Sequence, residues 1–156
     1  MKLNKTFLCG FCTLVSAMTL STVGFAEYKP SPAPLMTVWG EEMTPETAWA
    51  LHPRPNLERS NWQNLNGLWD YAVTPINAPK QPKVWEGKVL VPFAMESALS
   101  GVGRMIEPNE AVWYHRTFDV SSLNDERLLL HFDGVDFRSQ VFVNGMEVTD
   151  YPHESG

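Results

Sequence analysis

The sequence predicts an all-β chain, an antiparallel sandwich or barrel, and three features predict it. About six short runs either alternate apolar with polar residues or are apolar throughout. Clusters of Gly, Pro, Asn and Ser punctuate the gaps, among them Asn144-Gly145, the strongest short hairpin signal. Beyond one short segment there is almost no helical signal.

The elements justify this in order. Residues 1–26 have the three-part layout of a secretory signal peptide. Lys2 and Lys5 give a positive start, Phe7 to Leu20 is apolar and uncharged, and Gly24-Phe25-Ala26 offers small residues where a signal peptidase reads. The apolar run is short for a membrane span. Cleavage after Ala26 is therefore expected, with export to the periplasm or beyond and no membrane partner afterwards. Cys9 and Cys12 both lie in this segment, so the mature chain has no disulfide, thiolate zinc site or cysteine nucleophile. Removing 26 of the 156 residues leaves 130, enough for one domain with a core built by burial alone.

Residues 27–60 form a Pro-rich arm, punctuated by Pro30, Pro32, Pro34, Pro45, Pro53 and Pro55. Its one helical signal is Thr44-Pro45-Glu46-Thr47, with Thr44 as N-cap and Pro45 at the first helical position. Ala48 to Leu51 would complete about two turns before Pro53. Trp39 and Trp49 argue that the arm packs on the domain behind it rather than hanging free.

The folded part, residues 61–156, opens with a strand from Gly67 to Thr74, with Trp69, Tyr71 and Val73 on one face. Lys88 to Val91 is a second strand, closed by Pro92. Met95 to Ile106, with Ser97, Ser100, Gly101 and Gly103, reads as a long turn. Ala111 to Val120 alternates clearly. Arg127 to Phe132 is apolar on both faces, as a central strand would be. Ser139 to Val143 and Met146 to Val148 flank Asn144-Gly145. A jelly roll closes with about eight strands, so the sandwich is expected to be incomplete at its C-terminal end.

Charge narrows the partners. The net charge of −6 becomes −8 once Lys2 and Lys5 leave with the leader. An acidic surface without a Lys/Arg block argues against nucleic acid and anionic membrane as partners.

A series of segments then resembles a known family. Asn64-Leu65-Asn66-Gly67-Leu68-Trp69-Asp70, Val91-Pro92-Phe93, Glu96-Ser97 and Leu99-Ser100-Gly101-Val102 come first. Val112-Trp113-Tyr114-His115-Arg116-Thr117-Phe118 and Leu129-Leu130-His131-Phe132-Asp133-Gly134-Val135-Asp136 follow, then Val141-Phe142-Val143-Asn144-Gly145-Met146-Glu147-Val148. In this order, and with His52-Pro53-Arg54-Pro55-Asn56 before them, they resemble the sugar-binding N-terminal domain of glycoside hydrolase family 2. The resemblance implies a galactose-binding-like jelly roll that precedes an immunoglobulin-like domain and a TIM barrel. It implies a retaining β-glycosidase acting on β-galactosides, β-glucuronides, β-mannosides or their relatives. Such chemistry needs two carboxyls about 5 Å apart, and in the family both glutamates lie in the barrel, which this chain does not contain. Carbohydrate would be met through that missing part, and no cofactor is implied. The family also lends an acidic residue from a loop near the tail, to which no position here corresponds. His153-Glu154-Ser155-Gly156 resembles the start of that loop, with Ser155 where a glycine is usual.

Individual residues add little chemistry of their own. Glu96, Glu107, Glu110, Asp133, Asp136 and Glu147 are the acids that catalysis would draw on, but Asp133 and Asp136 bracket Gly134 as turn residues do. No catalytic residue is assigned. His115 and His131 fall on neighbouring expected strands, yet spacing supplies no third ligand, so a hydrogen-bonded structural histidine is the better reading and no metal site is assigned. Arg116 and Arg138 are expected to pair with an acid such as Asp136. Of six tryptophans, Trp69 and Trp113 are expected in the core. Trp85, in a loop between prolines and a glycine, is the best exposed candidate for stacking on a sugar, although packing against the domain is the better reading. A free-standing secreted carbohydrate-binding module and a non-functional remnant are the alternatives that the sequence leaves open.

Overall fold

The computed structural model describes residues 27–78, 81–120, 127–135, 138–148 and 153–154. The expected leader, residues 1–26, lies outside the described residues, as do Asp136 and Ser155. Antiparallel strands make up most of the regular structure and helices are few and short. No helix among the described residues is long and apolar enough to cross a membrane. The chain divides into two units, Met1–Arg116 and Thr117–Gly156.

The first unit is built on a three-stranded antiparallel sheet in the order β2-β1-β3. Strand β1, Gly67–Pro75, is central, with β2, Gly87–Val91, and β3, Glu110–His115, on its two edges. Gly67 pairs with Val91 and Tyr71 with Gly87, while Asp70 pairs with His115 and Pro75 with Glu110. The period of two then sets the faces: Trp69, Tyr71 and Val73 share one, and Leu68, Asp70, Ala72 and Thr74 the other. Val89 and Leu90 point to opposite faces and both are fully buried, so each face of β2 is covered. Ala72, Met95 and Ala48 complete the buried apolar set among the described residues. Trp69 and Trp113 are only half-buried. Each indole N–H still finds an acceptor, the carbonyl of Leu65 at 2.7 Å and Thr74 Oγ1 at 2.9 Å.

Behind β2 the chain turns through one 3₁₀ turn, Ala98–Ser100, and a buried serine organises it. Ser100 Oγ lies within donating distance of the carbonyls of Ser97, 2.7 Å, and Met95, 3.1 Å. It accepts from the N–H groups of Val102, 3.0 Å, and Gly103, 3.3 Å. One hydroxyl thus satisfies backbone groups that no strand pairs.

The arm is ordered, but not by the contacts its sequence suggests. Trp39 is 78% exposed and Trp49 66%, so neither anchors it. The anchors are Tyr28, whose hydroxyl donates to the Leu99 carbonyl at 2.7 Å, and the Ser31 N–H, which donates to the Ala98 carbonyl at 2.8 Å. The helix also moves. An α-helix forms at α1, Val38–Glu41, where Thr37 Oγ1 caps the Gly40 N–H at 3.2 Å. At Thr44 the expected cap does form, with Thr47 N–H to Thr44 Oγ1 at 3.3 Å, but it opens a single turn. Trp49 then adopts φ 49°, which a right-handed helix cannot continue.

Two strand expectations are corrected. The run from Ala111 is a strand only to His115, where the ladder with β1 ends at Asp70; residues 116–120 pair with no strand among the described residues. Arg127 to Phe132 is not a strand, and Leu128, Leu129 and Phe132 are exposed. An apolar run reports a demand for burial, whereas a strand also needs a neighbour in register.

The second unit contains two short antiparallel ladders. Strand β4, Arg138–Ser139, pairs with β7, His153–Glu154, and β5, Phe142–Val143, pairs with β6, Met146–Glu147. The latter is the hairpin expected at Asn144-Gly145, whose φ values of 50° and 81° are those a two-residue primed turn requires. Val148 N–H extends it by bonding the Val141 carbonyl at 2.9 Å.

Candidate functional site

The register of β1 with its two neighbours gathers polar side chains on one face of the first unit's sheet. Asp70 stands opposite Lys88 on β2 and opposite His115 on β3. Directly opposed residues share a face, so the three meet. Lys88 Nζ donates to Asp70 Oδ1 at 2.5 Å, and His115 Nδ1 lies 3.2 Å from Asp70 Oδ2. An ionised carboxylate only accepts, so Nδ1 carries the proton in this pair. Partial burial works against the Asp70 charge, but the hydrogen bonds from Lys88 and His115 outweigh it and hold the carboxyl below its ordinary value.

Trp85 completes the cluster. It sits just before β2, half-buried, and stacks on the His115 ring at 5.0 Å with 17° between the planes. The stack occupies one face of the indole. The histidine on which the indole stacks is the one bonded to Asp70, so the aromatic pair and the charged pair share a residue. Sequence alone pointed to Trp85 and to a hydrogen-bonded His115, but Asp70 and Lys88 were missed. Their signal was a lone acid in β1 and a lone lysine in β2, and only the register joins them.

The remaining sequence candidates are dispersed. Glu110 is committed to Arg104 Nη2, at 2.5 Å, and accepts the Glu107 N–H at 3.0 Å. Glu147 accepts from Gln140 Nε2 at 3.0 Å. Burial, then the nearby Glu96 carboxylate, raises the Tyr114 phenol above its usual value. Arg116 does not take the role expected of it. Its Nη1 donates to the carbonyls of Leu65, 2.8 Å, and Asn66, 2.7 Å, tying the end of β3 to the entry of β1. Asp136, its expected partner, lies outside the described residues. His131 belongs to no strand. Among the described residues no group of three His, Cys, Asp or Glu is arranged to hold a metal ion.

Fold and cluster together define a strand-rich antiparallel protein with an aromatic and charged patch on one sheet. No protein-family model matches the chain, and no curated protein is significantly similar to it.

Proposed function

We propose that this chain supplies the amino-terminal jelly-roll domain of an exported retaining β-glycosidase of the family 2 kind. In this reading it braces a catalytic barrel and shapes the rim of its sugar pocket. The hydrolysis of a terminal β-linked sugar belongs to the barrel's two carboxyls, and the patch around Trp85 meets carbohydrate.

One observation supports the reading above others. Three motif segments that carry the resemblance, far apart in sequence, form one sheet: Gly67 of the first pairs with Val91 of the second, and Asp70 with His115 of the third. Arg116, from the same third segment, bonds the carbonyls of Leu65 and Asn66 in the first. Contacts between motif segments are what a scaffolding role asks of them, and two of the acids named from sequence, Glu110 and Glu147, are held by Arg104 and Gln140.

The test is the nucleotide sequence past the Gly156 codon. A frame that continues through further strand patterning to a barrel bearing an Asn-Glu pair supports the proposal. An early stop after one more strand favours a free-standing carbohydrate-binding module, which the Trp85–His115 stack would equally serve. Purified chain that turned over a nitrophenyl β-glycoside would refute the assignment of chemistry to another domain. Export is checked separately, by sequencing the amino terminus of secreted material, with Glu27 expected first.

A further inference from the structure

The sequence contains two Asn-Gly steps, Asn66-Gly67 and Asn144-Gly145, and the fold treats them oppositely. Asn66 is half-buried and Gly67 is buried at the head of β1. Three contacts hold Asn66. Its N–H donates to Asn64 Oδ1 at 2.8 Å, its carbonyl accepts from Arg116 Nη1 at 2.7 Å, and its Nδ2 donates to the Trp49 carbonyl at 3.4 Å. Strand β1 has paired positions on both sides, and this sheet would have to open before the Asn66-Gly67 peptide could turn.

Asn144-Gly145 has none of that restraint. Both residues are exposed, and neither the Asn144 side chain nor the Gly145 N–H is bonded to a described residue. Nothing stands within 4 Å of where a Gly145 Cβ would lie, so water and the neighbouring peptide have open access. The flanking ladder has only the pairs Phe142–Glu147 and Val143–Met146, in a two-stranded sheet. A hairpin of that kind is marginal in water, so it opens locally at little cost and lets Asn144 leave its φ of 50°. Glycine adds no side chain to shield its own nitrogen.

We infer that Asn144-Gly145 is a self-deamidation site whose conversion to isoaspartate releases the β5–β6 hairpin, while Asn66-Gly67 is spared. The deprotonated Gly145 nitrogen attacks Asn144 Cγ. An N–Cγ bond forms and the Cγ–Nδ2 bond breaks. The amide nitrogen leaves as ammonia, taking up the proton that Gly145 gave. Water, the one co-reactant, then opens the five-membered imide. Addition at Cγ gives aspartate, and addition at the Asn144 backbone carbonyl leaves the chain running through Cγ as isoaspartate. Aspartate still suits a primed turn. Isoaspartate lengthens the backbone of a two-residue turn whose length sets the strand register, so the two pairs of the ladder are lost. The inference stands on this hairpin alone and does not rest on the glycosidase reading.

The experiment incubates the full folded chain in mildly alkaline buffer and follows tryptic peptides by mass spectrometry. Asn144 is the sole asparagine among residues 139–156, and the peptide that begins at Ser60 reports Asn66. Methyl transfer by an isoaspartyl methyltransferase counts the isoaspartate. Asn144 should convert at least about tenfold faster than Asn66, reflecting the lower cost of opening the hairpin, and the two rates should converge in urea. The released register is read at the Val148 N–H, bonded to the Val141 carbonyl at 2.9 Å. Its deuterium exchange should rise at least about tenfold in the isoaspartyl form. Freshly prepared Asn144→Asp carries the charge without the longer backbone and should exchange as the untreated chain does. Equal conversion of the two asparagines in the folded chain overturns the inference. So does an Asn144 still intact once a synthetic peptide of residues 141–148 has converted, or unchanged Val148 exchange in the isoaspartyl form. An early stop codon would remove the glycosidase proposal and leave these measurements unaffected.

Discussion

The two units of this chain use similar side chains to different effect. In the first, β1 shares five paired positions with β2 and six with β3, and the sheet buries Ala72, Val89 and Leu90. In the second, each described ladder has two pairs, and Leu128, Leu129, Phe132, Met146 and Val148 all face solvent. Hydrophobicity does not separate them, since 127–132 is richer in leucine than β2. The difference lies in register. A strand with two long partners becomes a floor on which side chains can be covered, and a run without them stays open however apolar it is.

The sharpest way to break this comparison is to remove the same atoms from both units. Leu90→Ala, at a site with no exposure, should lose about 2–5 kcal/mol in a urea melt, whereas Leu129→Ala, 60% exposed, should change it by less than about 0.5 kcal/mol. Equal losses would mean that the second unit is packed as tightly as the first. Next is Ser100→Ala, which strips the partner from two backbone N–H groups and should cost about 1–3 kcal/mol by the same measurement.

The charged face of the sheet gives a smaller, pH-dependent effect. The Asp70 carboxyl is held below its unfolded value, so the folded state binds that proton less readily than the unfolded chain does. Its contribution is therefore complete above about pH 4, the ordinary aspartate range, and drains away as pH falls through the lower folded value. Asp70→Asn should flatten that part of the acid-melting curve, and an unaltered curve would count against the Lys88 and His115 contacts. Smallest is Tyr28→Phe, which removes one hydroxyl from the Leu99 carbonyl and should cost about 1 kcal/mol. Faster proteolysis within the arm, at unchanged sheet stability, would sharpen the distinction between anchor and floor.

The parts legible in the sequence were those set by neighbours along the chain. The alternation of Gly67 to Thr74, the proline after Val91, the glycines and serines of the long turn, and Asn144-Gly145 all locate real elements to within a residue or so. Each is a local steric statement. What failed depended on distant partners. Arg127 to Phe132 read as a central strand, but its pairing could not be read from its own composition. The arm's tryptophans suggested packing, and a tyrosine and a backbone amide hold it instead. The helix at Thr44 had its cap and its proline, yet the positive φ of Trp49 stopped it after one turn. At the candidate site Trp85 could be named in advance as a loop aromatic. The Asp70–Lys88–His115 meeting exists only because β1 carries a neighbour on each side at the same position.

Gly101 and Gly103 carry a consequence for anyone scanning this protein by mutation. A Cβ on Gly101 would press within 3.2 Å of the Tyr28 ring, and one on Gly103 within 2.8 Å of Ser31 Cβ. Both glycines also sit at positive φ, 80° and 64°. Gly103 is open to water, and a surface position that refuses every substitution is commonly taken for a docking signature. Here the same intolerance would mark a mould, the groove into which the first residues of the arm are cast.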